Sequence, residues 1–297
     1  MKTKNNLVII ALFFVAFVSF SQPVLDSSQI KKRVTTVAIS STLVYSASLI
    51  GMNELWYKNS PRSKFHFFND NPEWLQMDKC GHFFGAYHIS SVGAEMYLWT
   101  GTSDRKARIY GALTGLLFQT PIEFLDAYSP DFGASWGDAL ANLSGSAFYL
   151  GQHAVWNEIR IQPKFSFHRT PYASIKPKLL GEGFAQEFLK DYNGQTYWLS
   201  GNVSSLLSKS THVPKWFNVA IGYSGEEMLR GRRHQNENEG YDMYRQWYLS
   251  LDVDFSRIET NKRWLKIAFF VLNSIKVPFP ALQLDRRNGL TANWIYF

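Results

Sequence analysis

Apolar residues along this chain change their spacing once. Up to about residue 162 they recur every three or four positions, as on one face of a helix. Beyond about residue 177, short stretches alternate residue by residue, as in a strand. Four apolar segments in the first part predict helices over 34–52, 79–100, 105–125 and 135–159, with Pro121 bending or ending the third. Each is long enough to cross a bilayer, but polar residues interrupt all four. Small residues recur at helical spacing: Gly81 and Gly85, Gly111 and Gly115, then Gly137, Ala141 and Gly145. Such spacing lets helix backbones approach closely, in a membrane or in a tight soluble bundle.

In the second part, Phe217, Val219, Ile221 and Tyr223 alternate with Asn218, Ala220 and Gly222. Leu249, Leu251, Val253 and Phe255 alternate with Ser250, Asp252 and Asp254. Residues 290–297 read as another strand, 264–275 as a short amphipathic helix, 191–194 as a turn and 230–241 as a polar loop. The fold expected is mainly α: a close-packed bundle of about four helices, followed by a smaller α+β region with a few antiparallel strands. The expected divisions are a signal peptide over 1–21, a helical bundle over 22–162 and a mixed extension over 163–297. Phe297 ends an alternating stretch, which resembles the assembly signal of outer-membrane barrels. A barrel needs at least about eight strands, however, and only four can be counted after Pro177, so a small antiparallel sheet is expected instead.

The first residues bear on the compartment. Lys2 and Lys4 precede an unbroken apolar run over 7–18, and Ser19-Phe20-Ser21 offers small residues where a signal peptidase cuts. Cleavage is expected before Gln22. The run is shorter than the roughly 20 residues of a spanning helix. No cysteine stands at the cleavage point, so no lipid anchor is expected. The protein is therefore expected to be exported to the periplasm or outer membrane and to be membrane-associated. The single cysteine, Cys80, excludes an internal disulfide and is expected to be buried, with a catalytic thiol as the alternative.

The formal charge is +7, or +5 once Lys2 and Lys4 are removed with the signal. The basic runs Lys31-Lys32-Arg33, Arg230 to Arg233 and Arg286-Arg287 suit anionic lipid headgroups or a solvated surface. Membrane lipid is the expected partner; nucleic acid is not, for an exported chain. The composition names no protein partner. Aromatic residues make up 16% of the chain, a usage suited to a wet–apolar boundary.

Three polar stretches interrupt the helices. Asp78-Lys79-Cys80-Gly81-His82-Phe83 puts Asp78 and His82 on one helix face. Glu123 and Asp126 lie three apart. Ser135-Trp136-Gly137-Asp138 continues to Asn142 and Gly145, with Asp138 and Asn142 one turn apart. Charge beside apolar helices is costly unless paired or bound to a cation. Convergence of Asp78, His82, Glu123, Asp126, Asp138 and Asn142 is therefore expected, and two readings stay open. The groups form either a buried network fixing helix register, with Asp78 capping its helix, or a pocket. In the pocket, Asp78, His82, Glu123 and Asp138 would bind a metal or perform acid–base chemistry. The first reading gives an envelope protein with a structural or binding role. The second gives an envelope hydrolase or metal-dependent enzyme acting on lipid or cell-wall material. No phosphate loop, CxxC pair, HExxH or nucleophile elbow is present, and no cofactor can be named.

These stretches together, over roughly residues 71–151, resemble the uncharacterised YfiM-like family of predicted periplasmic lipoproteins. More distantly they resemble VanZ-like membrane proteins. The resemblance implies an exported, helical, envelope-associated domain and no activity. This chain carries no lipobox cysteine and adds a long C-terminal extension.

Overall fold

A computed structural model of the chain describes residues 25–54, 61–130, 133–207 and 213–297. The expected signal peptide lies outside the described residues. The chain divides into two compact units. One holds residues up to Asn69, with Gly85–Asn157 and Lys262–Ile267; the other holds Asp70–Phe84, Glu158–Asn261 and Ala268–Phe297.

Four long helices lead the fold: α1 (Ser27–Met52), α2 (Met77–Trp99), α3 (Asp104–Asp126) and α4 (Trp136–Trp156). They match the four expected segments to within a few residues, apart from an earlier start to α1. Asp26 and Gln29 close a reciprocal capping box at that start, the Asp26 carboxylate accepting the Gln29 N–H at 2.8 Å. Hydroxyls inside α1 donate back to carbonyls of the preceding turn, as Thr35 does to Lys31 and Thr42 to Ala38, so these side chains are satisfied within the helix. Pro121 does not end α3, which continues through Asp126.

In the first unit, α3 runs antiparallel to both α2 and α4. Its two glycines set the spacing. A Cβ on Gly111 would stand 2.5 Å from the Ser90 carbonyl oxygen and 2.6 Å from the Ala94 nitrogen. One on Gly115 would stand 2.4 Å from the Ala86 oxygen and 2.1 Å from Ser90 Oγ. Only a missing side chain permits this approach. It brings Ser90 Oγ of α2 within 3.2 Å of Ser146 Oγ of α4, and both serines are buried.

In the second unit, the residues leading into α2 take an unusual path. Trp74, Leu75 and Gln76 all have positive φ, at +48°, +51° and +64°. A left-handed turn costs L-residues about 1–2 kcal/mol each. Partners far along the chain hold it: Trp74 N–H donates to Gly231 O at 2.7 Å, Tyr223 Oη donates to Leu75 O, and Arg232 pairs with Glu73 at 2.9 Å. Leu75 and Met77 then pack in a core with Met228 and Met243.

The rest of this unit is an antiparallel meander of six strands in chain order: β1 (Ile161–Phe167), β2 (Gln195–Asn202), β3 (Phe217–Glu226), β4 (Tyr244–Val253), β5 (Phe279–Asp285) and β6 (Gly289–Tyr296). The expected strands near 217–223, 249–255 and 290–297 are present, and the amphipathic helix is found at Arg263–Leu272. Five strands follow Pro177 where four were expected, and β1 lies before it. Pro163 and Pro280 sit inside β1 and β5, where a missing N–H reads as a break. Pro163 is tolerated because β1 is an edge strand; beyond it, only Phe165 is bridged on that side, to the chain around Ile275.

The sheet is apolar on its exposed face, and its buried face joins a cluster of Trp198, Ala220, Tyr248 and Ala281 to many polar groups. Buried positions include Ser200, Asn218, Ser250 and Asp252; Leu199, Ile221, Leu249 and Leu282, one residue out of phase, are exposed. Lys164 and Lys276, both fully buried, flank Asp252 at 2.8 and 3.9 Å. Ser200 donates to the same carboxylate at 2.6 Å. This face is also concave. Four strand steps of about 4.8 Å separate β2 from β6 in a flat sheet, yet Tyr296 Oη lies 3.0 Å from Thr196 Oγ1.

The glycine contacts can be tested by paired substitutions. Gly115→Ala should lower stability by about 1–3 kcal/mol or more, because backbone faces the new methyl. Gly151→Ala on α4, with nothing within 4 Å, should raise it by about 0.5–1 kcal/mol. Equal melting temperatures for the two variants would contradict the close packing.

Candidate functional site

The polar stretches are positioned by different parts of the fold. Asp78 lies in the first turn of α2, where a helix dipole favours a carboxylate. Its Oδ1 stands 3.7 Å from His82 Nε2 one turn on, so the shared face expected from the sequence is present. Lys79 reaches back to Asp78 Oδ2 at 3.1 Å and across to Asp70 Oδ2 at 2.7 Å. Tyr192, from the turn before β2, donates its hydroxyl to Asp78 Oδ1 at 3.1 Å. One carboxylate is thus met by an ammonium, an imidazole and a phenol.

Burial pushes the Asp78 carboxyl up. His82, Lys79 and the hydrogen bonds from Lys79 and Tyr192 outweigh burial and hold it below its ordinary value. Next to it, Cys80 is half-buried, not fully buried as expected. Burial and the neighbouring Asp78 push its thiol up to about 11. It is therefore un-ionised at neutral pH, which counts against the catalytic thiol.

The other stretches belong to the helical unit. Ser135 caps α4, its hydroxyl accepting the Asp138 N–H at 3.2 Å. Glu123, near the end of α3, accepts the Ser135 N–H at 3.2 Å, so a second carboxylate faces the start of α4. Glu123, Asp138 and Asn142 are all buried, the last two one turn apart as expected. Asp126 is half-buried at the end of α3. Higher in this unit, Arg108 links Asp104, Glu95 and the Tyr149 hydroxyl, at 3.0, 3.2 and 2.9 Å.

Sequence reasoning missed Asp70 as a partner of Lys79 and Tyr192 as a partner of Asp78. Tyr192 is 114 residues away, and no local pattern signals such a pairing.

Residues 65–152 match the model of a family described as "Predicted periplasmic lipoprotein (DUF2279)". The match takes in α2, α3 and nearly all of α4, and thus all three polar stretches. It supports the first of the two resemblances; the VanZ-like one finds no support in it. No curated protein and no solved structure matches the chain. The protein is accordingly an exported, periplasmic protein of the cell envelope.

The Asp78 cluster predicts a pH dependence. A carboxyl held below its unfolded value stabilises the fold above about pH 4, and that contribution is lost as pH falls through the folded-state value. Asp78→Asn should therefore cost about 2 kcal/mol at pH 7, through charged hydrogen bonds, and much less at pH 3. A stability gap between wild type and Asp78→Asn that stays constant from pH 7 to pH 3 would refute this.

Proposed function

We propose that this envelope protein is membrane-associated and has a structural or binding role. The observation that carries the reading is an exposed apolar surface on the helical unit. Ile109, Leu113 and Leu117 recur along α3, and Trp136, Leu140 and Leu143 along α4, all exposed. A water-soluble monomer rarely leaves contiguous apolar area of this kind uncovered. The Ser27–Gly51 stretch of α1 is also long and apolar enough to cross a membrane, with only 11% of its most apolar window buried.

In this reading the polar residues serve packing within each unit: Asp78 with Lys79, His82 and Tyr192 in one, Glu123 with Ser135 at the start of α4 in the other.

The alternative is a metal-dependent or hydrolytic enzyme using Asp78, His82, Glu123 and Asp138. The pairing of Asp78 with His82 is compatible with a divalent ion, but Lys79 already places a cation on that carboxylate. A metal on Oδ1 would stand close to that ammonium, and the repulsion between them favours the structural role.

Full-length protein mixed with liposomes should float with them in a density gradient and resist carbonate extraction. Recovery in the soluble fraction would overturn the membrane reading. Elemental analysis should find no stoichiometric zinc or manganese. A tightly bound metal that disappears in Asp78→Ala, Asp138→Ala protein would instead establish the enzymatic alternative.

A further inference from the structure

We propose that the convex face of the six-stranded sheet is a lipid-contacting surface, set against the acyl chains of a bilayer. This deepens the membrane reading above and rests on it for the presence of a bilayer. That reading came from helices α3 and α4; the sheet supplies separate observations.

The first is the phase of the alternation. An antiparallel sheet with one wet face keeps its apolar side chains inside and its polar ones in water. This sheet departs from that rule: its outer face is apolar, while its inner face mixes buried polar and charged groups with a cluster of Trp198, Ala220, Tyr248 and Ala281. Its concave side holds Lys164, Asp252 and Lys276 at 0% side-chain exposure, with the ammonium groups also donating to the Val253, Leu251 and Val277 carbonyls. Its convex side exposes Leu199, Ile221, Leu249, Leu251, Leu282 and Leu284. An apolar outer face over an interior rich in polar and charged groups is the arrangement of a strand whose outer solvent is hydrocarbon.

The second is how the band is bounded. No charged side chain occurs among the outward positions of β3 to β5 until Arg245. Just inside Arg245 the Tyr223 and Trp247 rings pack at 4.8 Å. At the opposite end stand Trp216 and Trp294, both exposed, with Lys215 beyond Trp216. Aromatic residues mark the two water boundaries of a membrane-embedded sheet. From Trp216 to Tyr223 the chain advances about 23 Å at roughly 3.3 Å per residue, which at a tilt of about 40° covers about 18 Å of depth, most of the roughly 25 Å apolar band of such sheets.

The third is a groove on this face, of about 400 Å³, lined by Val219, Leu249, Leu251, Leu282, Ala292 and Trp294. It is almost wholly apolar and offers a ligand little to hydrogen-bond, which suits an acyl chain. A second copy of the protein is a poorer occupant. The face is convex, as the reach of Tyr296 to Thr196 requires, and two convex surfaces touch over little area.

The test uses the full-length protein in liposomes. Spin labels are placed on Leu249→Cys, Leu282→Cys, Arg245→Cys and Leu113→Cys, with unlabelled parent as the control for Cys80. Accessibility to oxygen is compared with accessibility to a water-soluble nickel chelate. At positions 249 and 282 the oxygen-to-nickel ratio should be severalfold higher than at 245. A nickel-dominated signal at 249 and 282, with oxygen-dominated Leu113→Cys, would overturn this inference and leave the helix-based reading standing. Failure of the parent to float with liposomes would overturn both. Low accessibility to both reagents at 249 and 282, with dipolar broadening between labels on different copies, would assign the face to self-association and refute the proposal.

Discussion

The closeness of α2 and α3, permitted by two glycines, is the constraint from which the helical unit follows. With Gly111 against Ser90 and Ala94, and Gly115 against Ala86, the backbones meet without intervening side chains. Once that distance is fixed, Ser146 of α4 meets Ser90, and Arg108 reaches both Glu95 and Tyr149. At the far end of α3, Glu123 arrives where the N–H of Ser135 needs an acceptor. Widening the spacing by one methyl group would disturb packing and polar bonds together, because both are read from the same register.

The helices were legible because their periodicity is long and their small residues recur on one face. The sheet was only partly legible. The alternation in β3 and β4 is plain, but Pro163 and Pro280 hid β1 and β5. Alternation also cannot say which side is inward. The structure turns Leu249 and Leu251 outward while burying Ser250 and Asp252. In the polar stretches, the i,i+4 pairing of Asp78 with His82 followed from spacing alone. The roles of Asp70 and Tyr192 did not, since only the folded chain brings them to Asp78 and Lys79.

The basic composition has a local explanation over much of the second unit. Arg230 pairs with Glu239, Arg232 with Glu73, Arg233 and Arg286 with Asp242, and Arg287 with Glu227. Two of the basic runs visible in the sequence are thus answered by acidic side chains nearby in space. Exposed pairs of this kind contribute little stability each. Their larger effect is to remove the concentrated positive field that the sequence suggests.

The left-handed turn over Trp74, Leu75 and Gln76 has a consequence in time. Its restraints are made late: Tyr223 follows Leu75 by 148 residues, and Arg232 follows Glu73 by 159. Until those partners exist, the three residues prefer the right-handed well, and the head of α2 has no reason to adopt its final path. Asp78 lies two residues further on. The matched segment therefore cannot complete this corner of itself as it leaves the ribosome or a translocation pore. Chain length acts as a checkpoint: the carboxylate receives its tyrosine and its fixed approach only after the C-terminal strands have been delivered.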